Sequence, residues 1–502
     1  MLGLDAADPV LVDRWIDDGS LPHLGTLKKG GSYARLGTSA MHLAGSPWPT
    51  FYTGQPPCHH GIYHDFQWRH EGMEYARPQS DWLPATPFWR SLGDGPRVVA
   101  YDVPMTLNCE GATGVEVTGW ASHDSLGPPA THPPELIAEI KQRFGEWLVS
   151  PEAFGRSPVG ELLALRDELL ENTRRSAELS KWLLQRPWDL GIAVFSALHR
   201  GGHRLWDRSS IEGEVGDDEG ETFDRALREL YVACDKAVGE LVAVAGDATM
   251  IVFALHGMMA NTTRIDLLDE MLVRALRGPE ASTGRRSITR RLGEAMPLGL
   301  RRFLTRSIPV GLRNRLMTMW STGGTKWSST EAFTLRADVQ GYVRVNLQGR
   351  EPQGIVPPGD LDAVCDRITE GLCSFRDAAS GDPIVEEVRR TRDLFENGPQ
   401  ADRLPDLVVR WKETPAAVHH ALVSDRLGRI ERATPGRIPN GRSGNHRSQG
   451  WLIARGPGIP AGATLEREAH ILDLAPTALD LLGAESAVPL AGKPIPLEQE
   501  GN

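Results

Sequence analysis

The chain has 502 residues, of which 40% are hydrophobic and 24% are charged, and its formal net charge is −11. This composition is typical of a folded globular protein, and the length suffices for one large α/β domain with insertions or for two domains. A protein that binds nucleic acid in bulk needs a basic surface, so the acidic balance excludes that class. An acidic chain that binds an anionic ligand needs a local source of positive charge, and metal ions are one such source.

Five cysteines are scattered along the sequence without a Cys-x-x-Cys pair, which is typical of a reducing compartment. No apolar run approaches the roughly 20 residues of a transmembrane segment, and no signal peptide is visible. A cytoplasmic location is therefore the default expectation, and the sequence leaves the oligomeric state open. Asp5 already ends a strand-like run, whereas a strand usually has about 5–6 residues, so we expect that residues upstream of Met1 are missing.

In chain order, the pattern predicts alternating helices and strands. An apolar spacing of three and four residues predicts a helix within residues 6–35 that ends at glycine. The proline-bounded stretch SPWPTFYTGQPPCHHGIYH (46–64) indicates a shaped loop leading into a helix. Residues 134–185 and 221–245 are predicted to be mostly helical, and residues 333–410 to contain further strands and helices. Together these segments predict an α/β fold.

Several apolar runs end in Asp or His. The runs DLGIAVFSAL and ATMIVFAL are almost continuously apolar, which is typical of strands in a parallel sheet covered on both faces. The polar residues at the ends of such runs are Asp5 in GLDAADP, His199 and His203 in LHRGGHRLW, His256 in ALHGMMAN and His446 in SGNHRSQGWLIARGPGI. Open α/β sheets bind ligands at the carboxyl ends of their strands. We therefore expect these side chains and Ser46 to converge at one edge of a largely parallel central sheet.

This set of segments resembles the type I phosphodiesterase/nucleotide pyrophosphatase family of the alkaline phosphatase superfamily. GLDAADP resembles the first metal-binding aspartate loop, and SPWPTFYTGQPPCHHGI resembles the nucleophile loop with its T-G-x-x-P-x-x-H-G tail. HGM resembles the second metal loop, usually S-D-H-G, and NHRSQGWLIARGPGI resembles the last metal-binding histidine with its strand. The resemblance covers nearly the whole chain. It implies an alkaline phosphatase-like three-layer α/β sandwich with a largely parallel central sheet and an inserted cap region.

The resemblance also implies two metal sites. The family forms one site from an Asp-x-x-x-His pair and the late histidine, and these positions are His199, His203 and His446 here. Three imidazoles suit zinc, with manganese and iron as alternatives. Taken singly, each would more simply be a hydrogen-bonded structural histidine.

The second site of the family uses the first aspartate, the nucleophile hydroxyl and the Asp-His pair of the S-D-H-G loop. Asp5 and His256 match this pattern, but Leu255 stands where the aspartate would be. The loss of an anionic ligand leaves three possibilities open: a weak metal site, a site completed by another carboxylate, or a site without metal. One or two divalent ions per chain are therefore expected.

The nucleophile is expected in the same loop as the family's. In the family it commonly lies four residues before the tryptophan, which is Ala44 here, whereas Ser46 lies two residues before Trp48. We predict that Ser46 is the nucleophile and a metal ligand, activated by the lowered pKa of a metal-bound hydroxyl. Two alternatives are attack by a metal-bound water and loss of catalysis, since a serine in a turn commonly serves only as a backbone hydrogen-bonder.

These features predict a metal-dependent hydrolase of small-molecule phosphate esters, acting on phosphodiester or nucleotide pyrophosphate bonds through Ser46. The alternatives are a catalytically reduced member that binds a phosphorylated ligand, and a phosphomonoesterase or phosphotransferase on the same fold. We expect a single domain over residues 1–502, with an arginine-rich insertion or cap at 270–330. Such an insertion is commonly a solvated basic face; the alternatives are a lid that supplies arginines to an anionic substrate and a membrane-surface contact.

Overall fold

A largely parallel sheet lies at the centre of the chain. The structure, a computed structural model, describes residues 1–92, 95–107, 114–122, 125–146, 155–281, 315, 318–319, 321–322, 325–395, 397–432, 440–465 and 468–497.

The helices of the described chain are α1 (Pro9–Asp17), α2 (Pro22–Lys29), α3 (Pro47–Thr53), α4 (Pro57–His60), α5 (Leu136–Phe144), α6 (Val159–Leu183), α7 (Ala197–Arg204), α8 (Asp217–Ala245), α9 (Ile265–Arg277), α10 (Leu361–Cys373), α11 (Thr391–Leu394) and α12 (Leu474–Leu482). The strands are β1 (Leu2–Leu4), β2 (Ser32–Gly37), β3 (Gln67–Arg69), β4 (Glu74–Ala76), β5 (Val98–Tyr101), β6 (Val115–Thr118), β7 (Ala130–His132), β8 (Leu190–Phe195), β9 (Met250–Ala254), β10 (Gly257–Ala260), β11 (Ala332–Leu335), β12 (Gly341–Val345), β13 (Arg376–Asp377), β14 (Val385–Arg390), β15 (Leu407–Trp411), β16 (Ala421–Ser424), β17 (Gly428–Glu431), β18 (Gly444–Arg447), β19 (Gly450–Arg455), β20 (Ala463–Thr464) and β21 (Ala469–His470).

Among the described residues, the central sheet has ten strands in the order β20-β2-β19-β9-β1-β8-β5-β6-β7, with β21 also paired to β2. Strands β9, β1, β8, β5 and β6 run parallel to one another. Strand β19 is antiparallel to both β9 and β2, and β7 is antiparallel to β6. The short strand β1 lies between β8 and β9. The residue that follows β1 therefore emerges at the middle of the carboxyl edge.

The central sheet is covered on both faces, and alternate residues of each strand enter different cores. In β8, Ala193 and Phe195 pack with helices α1, α2, α6 and α8, while Ile192 and Val194 belong to the core that contains α3 and α12. This two-sided burial explains the continuous apolar runs of the sequence, since both faces of each strand exclude water. The predicted three-layer α/β sandwich with a largely parallel sheet is confirmed.

Outside the sandwich, with its cores on the two faces of the sheet, lies a separate apolar core, called the second core below. It includes residues from helices α9 and α10 and from the antiparallel sheet β11-β12-β15-β14. The start of β12 reaches the loop before α3, where the Gln340 side chain donates to the backbone oxygen of Ala40 at 2.7 Å and the Ala44 N–H donates to the Tyr342 hydroxyl at 3.1 Å. These contacts attach the second core to the loop that resembles the family's nucleophile loop.

The division into domains stays a prediction. Most of the arginine-rich insertion at 270–330 lies outside the described residues. Its described beginning is the end of α9, and its described end leads towards β11. None of the described helices has both the length and the apolar character that crossing a bilayer requires.

Candidate metal centre

Helix α7 carries two histidines one turn apart. It begins two residues after β8, and residues four apart on a helix lie on one face, so His199 and His203 point the same way. Every residue of α7 is buried. A methyl group on Gly201 would overlap Leu230, and one on Gly202 would overlap Met258. The two glycines therefore allow the helix to approach α8 and β10 closely enough to present both imidazoles to the same cavity.

Two further histidines come from β10 and β18. His256 directly precedes β10, which pairs antiparallel with β18 so that Met258 lies opposite His446. The rings of His256 and His446 have their centroids 4.4 Å apart. The sheet pairing thus joins a strand from the middle of the chain to one near its end and brings both histidines to the carboxyl edge.

His199, His203 and His446 form a compact set. All three are buried, and their candidate ligand nitrogens lie within 4.8 Å of one another. His199 Nδ1 contacts Asp5 Oδ2 at 2.9 Å, and His203 Nδ1 contacts the Gly444 carbonyl oxygen at 3.0 Å. Because these Nδ1 atoms face acceptors, they carry the ring hydrogens, and each Nε2 keeps its lone pair.

The donor set fits one divalent ion. The Nε2 atoms of His199 and His446 face each other at 2.9 Å, and two imidazole ligands of a tetrahedral zinc lie roughly 3.3 Å apart for Zn–N bonds of about 2.0–2.1 Å. Burial, together with the charge of Arg442 and the neighbouring histidines, holds the pKa of His203 well below its usual value. A neutral imidazole is the form that binds a metal.

Asp5 lies beside this set. Its Oδ1 accepts a hydrogen bond from Trp48 Nε1 at 2.8 Å, and its Oδ2 accepts the one from His199. Burial would raise the pKa of Asp5, but the nearby His199 and His256 and the bond from Trp48 lower it to about 2. Both carboxylate oxygens therefore already have protein donors. Such contacts are those by which a carboxylate orients a metal-binding histidine, and direct binding of an ion by Asp5 stays a prediction.

His256 is the fourth imidazole of the cavity. It is 2% exposed, and neither ring nitrogen has a hydrogen-bond partner among the described residues. Burial lowers the pKa of His256 to about 4, so the ring is neutral near neutral pH. The compact three-histidine set does not include it.

The structure does not bring the Ser46 hydroxyl together with the histidines. Ser46 is fully buried and does not line the cavity. Its hydroxyl donates to the Leu43 carbonyl oxygen at 2.7 Å and lies 2.7 Å from Ser39 Oγ. The Ser39 hydroxyl also contacts the Thr50 hydroxyl, which in turn lies 3.1 Å from His60 Nε2. This hydrogen-bonded chain stabilises the start of α3.

The cavity beside the histidines has a volume of about 30 Å³. Residues of its wall that were not predicted as site residues are Ala44, Gly45, Pro47, Trp48, Asp65, Met105, Asp338 and Arg442. Arg442 Nη1 donates to Asp338 Oδ1 at 2.8 Å. These polar residues lie in loops rather than directly after buried strands, so the strand-end pattern did not point to them. For Arg442, its place four residues before His446 was an available signal.

The model of the family described as Type I phosphodiesterase / nucleotide pyrophosphatase matches residues 1–422. The chain belongs to this family. Members are hydrolases of phosphate esters that generally depend on divalent metal ions. No curated protein sequence matches the chain.

Solved structures of similar fold include phosphonoacetate hydrolase from Sinorhizobium meliloti 1021. Its complex with phosphonoacetate has a TM-score of 0.54 and 15% identity, over 96% of this chain and 94% of that chain. Its complex with phosphonoformate has a TM-score of 0.50 and 14% identity, over 96% and 94% of the two chains. Murine ectonucleotide pyrophosphatase / phosphodiesterase 5 has a TM-score of 0.45 and 15% identity, over 98% and 96%. At these identities the likeness shows the fold alone.

Two positions depart from the family pattern. Ala44 lines the cavity at the position where the phosphodiesterase family commonly has its nucleophile, and it presents only a methyl group. Leu255 stands for the aspartate of the S-D-H-G loop. Its side chain is fully buried in the apolar core that includes Trp48 and Phe253, and it does not line the cavity.

We expect Leu255→Asp to lower the free energy of unfolding by about 3 kcal/mol or more, because it removes a core side chain and buries a carboxylate. Leu255→Met, which keeps the volume, should stay within about 1.5 kcal/mol of the wild type. Urea denaturation of both variants measures this. A stable Leu255→Asp protein that gains a tightly bound second ion would show instead that position 255 can supply a metal ligand.

We expect Asp5→Asn to weaken metal binding by about 10–100-fold, because the amide keeps the shape but removes the charge that orients His199. Competition with a chelator of known affinity measures the change. Asp13→Asn is the matched control, since Asp13 pairs with Lys28 and Arg35 away from the cavity. Complete loss of one of two bound ions would identify Asp5 as a direct ligand, and unchanged affinity would exclude the orienting role.

Proposed function

We propose that this protein is a metal-dependent hydrolase of phosphodiester or nucleotide pyrophosphate bonds in small-molecule substrates. A single divalent ion, for which zinc is best suited, would be held by His199, His203 and His446. The observation that carries the proposal is the convergence of these three buried imidazoles at the carboxyl edge of the sheet, with the Nε2 atoms of His199 and His446 facing each other. Three protein ligands with an open fourth position are the arrangement of catalytic zinc sites.

When bound, such an ion supplies Lewis-acid activation of a phosphoryl oxygen and of water. The residues of the protein orient the histidine rings and provide positive charge for the phosphate. The Asp5 carboxylate and the Gly444 carbonyl fix the ring orientations of His199 and His203 through their Nδ1 atoms. Arg442, held by Asp338 in the cavity wall, adds a positive charge on the side of His203. Arginine is well suited to phosphoryl oxygens, because its planar fork donates two parallel hydrogen bonds.

We propose that water, rather than Ser46, attacks phosphorus. The Ser46 hydroxyl donates to the Leu43 carbonyl and does not line the cavity, so its proton and its orientation are both committed. Ala44, which does line the cavity, has no hydroxyl to attack with. Hydrolysis would then take place in one step without a covalent phosphoryl-enzyme.

A second candidate function is binding of a phosphorylated ligand without turnover. The specific observation in its favour is that Ala44 and Leu255 both lack the functional groups of the family pattern. The three-histidine set weighs against it, because drift after loss of function would not be expected to keep three converging imidazoles, two of them oriented through their Nδ1 atoms.

Metal removal and His203→Ala test the proposed function. Protein reloaded with zinc or manganese should hydrolyse bis(4-nitrophenyl) phosphate, and chelated protein should not. His203→Ala should lose the ion and lower turnover on the order of a hundredfold or more, because a first-shell ligand is removed. His420→Ala, which removes an exposed histidine, is the control.

The substrate panel should include 4-nitrophenyl phosphate and phosphonoacetate, the second because a protein of similar fold is a phosphonoacetate hydrolase. Faster turnover of either compound than of the diester would identify the protein as a hydrolase of that substrate class instead of a phosphodiesterase. Metal-loaded wild type that binds inorganic phosphate but turns over none of the three would favour the binding function.

Ser46→Ala should keep turnover within a few-fold of the wild type and leave no difference in metal content, because the hydroxyl contacts Leu43 and Ser39 rather than the cavity. Ala44→Thr is the matched probe, since it places a hydroxyl at the cavity wall. For both variants, turnover of the diester substrate is measured by kinetics, and a phosphorylated chain is sought by mass spectrometry. A loss on the order of a hundredfold in Ser46→Ala, with a trapped phosphoserine in the wild type, would restore Ser46 as the nucleophile.

A further inference from the structure

His256 is a buried polar side chain to which the three-histidine centre gives no role. It lines the cavity, is 2% exposed, and has neither ring nitrogen hydrogen-bonded within the described part of the chain. Leaving a donor and an acceptor unpaired in a buried place is unfavourable, and native proteins rarely do so without a ligand or water. The imidazole is therefore positioned for a group that enters the cavity.

A second metal ion would find too few ligands around His256. Both oxygens of Asp5 already accept hydrogen bonds from Trp48 and His199. The other carboxylates of the described cavity wall are also paired, Asp65 with His64 and Asp338 with Arg442. Leu255 is buried in the apolar core, and Ala44 offers a methyl group. One neutral imidazole does not provide the three or four ligands that zinc sites use.

The place of His256 suits contact with a substrate held by the other histidines. Its ring centroid lies 4.4 Å from that of His446 and 5.8 Å from that of His199. A group that reaches the three-histidine set from the cavity therefore passes within reach of the fourth ring. A neutral imidazole has one N–H donor and one lone pair, and the oxygens of a phosphate are strong acceptors for the N–H.

We propose that His256 is a substrate-contacting residue that donates a ring N–H to a phosphoryl oxygen, and that it is not a metal ligand. This inference rests on the proposed function, because it assumes that a phosphorylated substrate enters this cavity. The positive charge comes from the ion and from Arg442.

The test uses the whole protein, with metal alone and inorganic phosphate as probes. His256→Ala and His256→Gln are compared with the wild type and with His203→Ala. Metal content is measured by mass spectrometry, the ligand field by the visible spectrum of the cobalt(II) form, and the dissociation constant of phosphate by calorimetry. Circular dichroism checks folding, and His256→Gln supplies the second variant because its side-chain amide is polar and retains an N–H donor.

We expect both His256 variants to keep one ion per chain and the cobalt(II) spectrum of the wild type, whereas His203→Ala loses both. Phosphate should bind about 10–100-fold more weakly to His256→Ala, the range for a hydrogen bond to a charged group, and His256→Gln should recover part of this loss. A lost ion or an altered spectrum in the His256 variants would identify a metal ligand and overturn the inference, as would unchanged phosphate affinity in both. Failure of the proposed function appears in a different measurement, the turnover of the diester by the wild type.

Discussion

The hydrogen bond between Asp5 and His199 connects the centre of the fold to the candidate metal centre. Asp5 follows the three-residue central strand β1, and its second oxygen accepts from Trp48 at the start of α3. One carboxylate thus joins three segments that are distant in sequence: the first strand, the start of α3 and the helix that carries two histidines. The remaining geometry depends on this junction, because the orientation of His199 decides where its Nε2 faces.

Burial gives the centre its second constraint. Four imidazoles lie together with little access to water, and desolvation disfavours their charged forms. The low pKa of His203 and of His256 follows mainly from that burial. Neutral imidazoles can lie within contact distance of one another without repulsion, and they are also the forms that coordinate metals or donate to phosphate. Burial therefore allows the four imidazoles to pack together and also keeps them in the neutral form that binds a metal or donates to phosphate.

The fold and the family could be predicted from the sequence because both depend on the order of apolar runs and motifs along the chain. Apolar runs that end in Asp or His determine which strands are central and where their carboxyl ends meet, and the convergence of His199, His203 and His446 follows from that placement. The orientation of a hydroxyl does not follow. Ser46 lies in the predicted loop, but its partners Leu43 and Ser39 are set by how that loop closes.

The polar residues of the cavity wall were harder to predict from the sequence. Asp65, Asp338 and Arg442 come from three loops that no periodic pattern marks. Asp338 precedes β12 and Arg442 precedes β18, and the two side chains meet across these loops. The hydrogen bonds of Asp5 are a similar case. The sequence shows a carboxylate at a strand end, but only the structure shows that two donors, Trp48 and His199, already occupy its oxygens.

The burial of Leu255 has a consequence for the electrostatics of the whole centre. In the family pattern, two divalent ions are accompanied by three aspartates. Here His199 and Leu255 stand at two of those three positions, and only Asp5 remains. One divalent ion with one aspartate has the same formal charge as two divalent ions with three. With a single ion, as proposed, the ion and this aspartate carry the same formal charge as the ions and aspartates of the family pattern, gathered around one point instead of spread over two. Asp65, Asp338 and Arg442 of the cavity wall add their own charges to it.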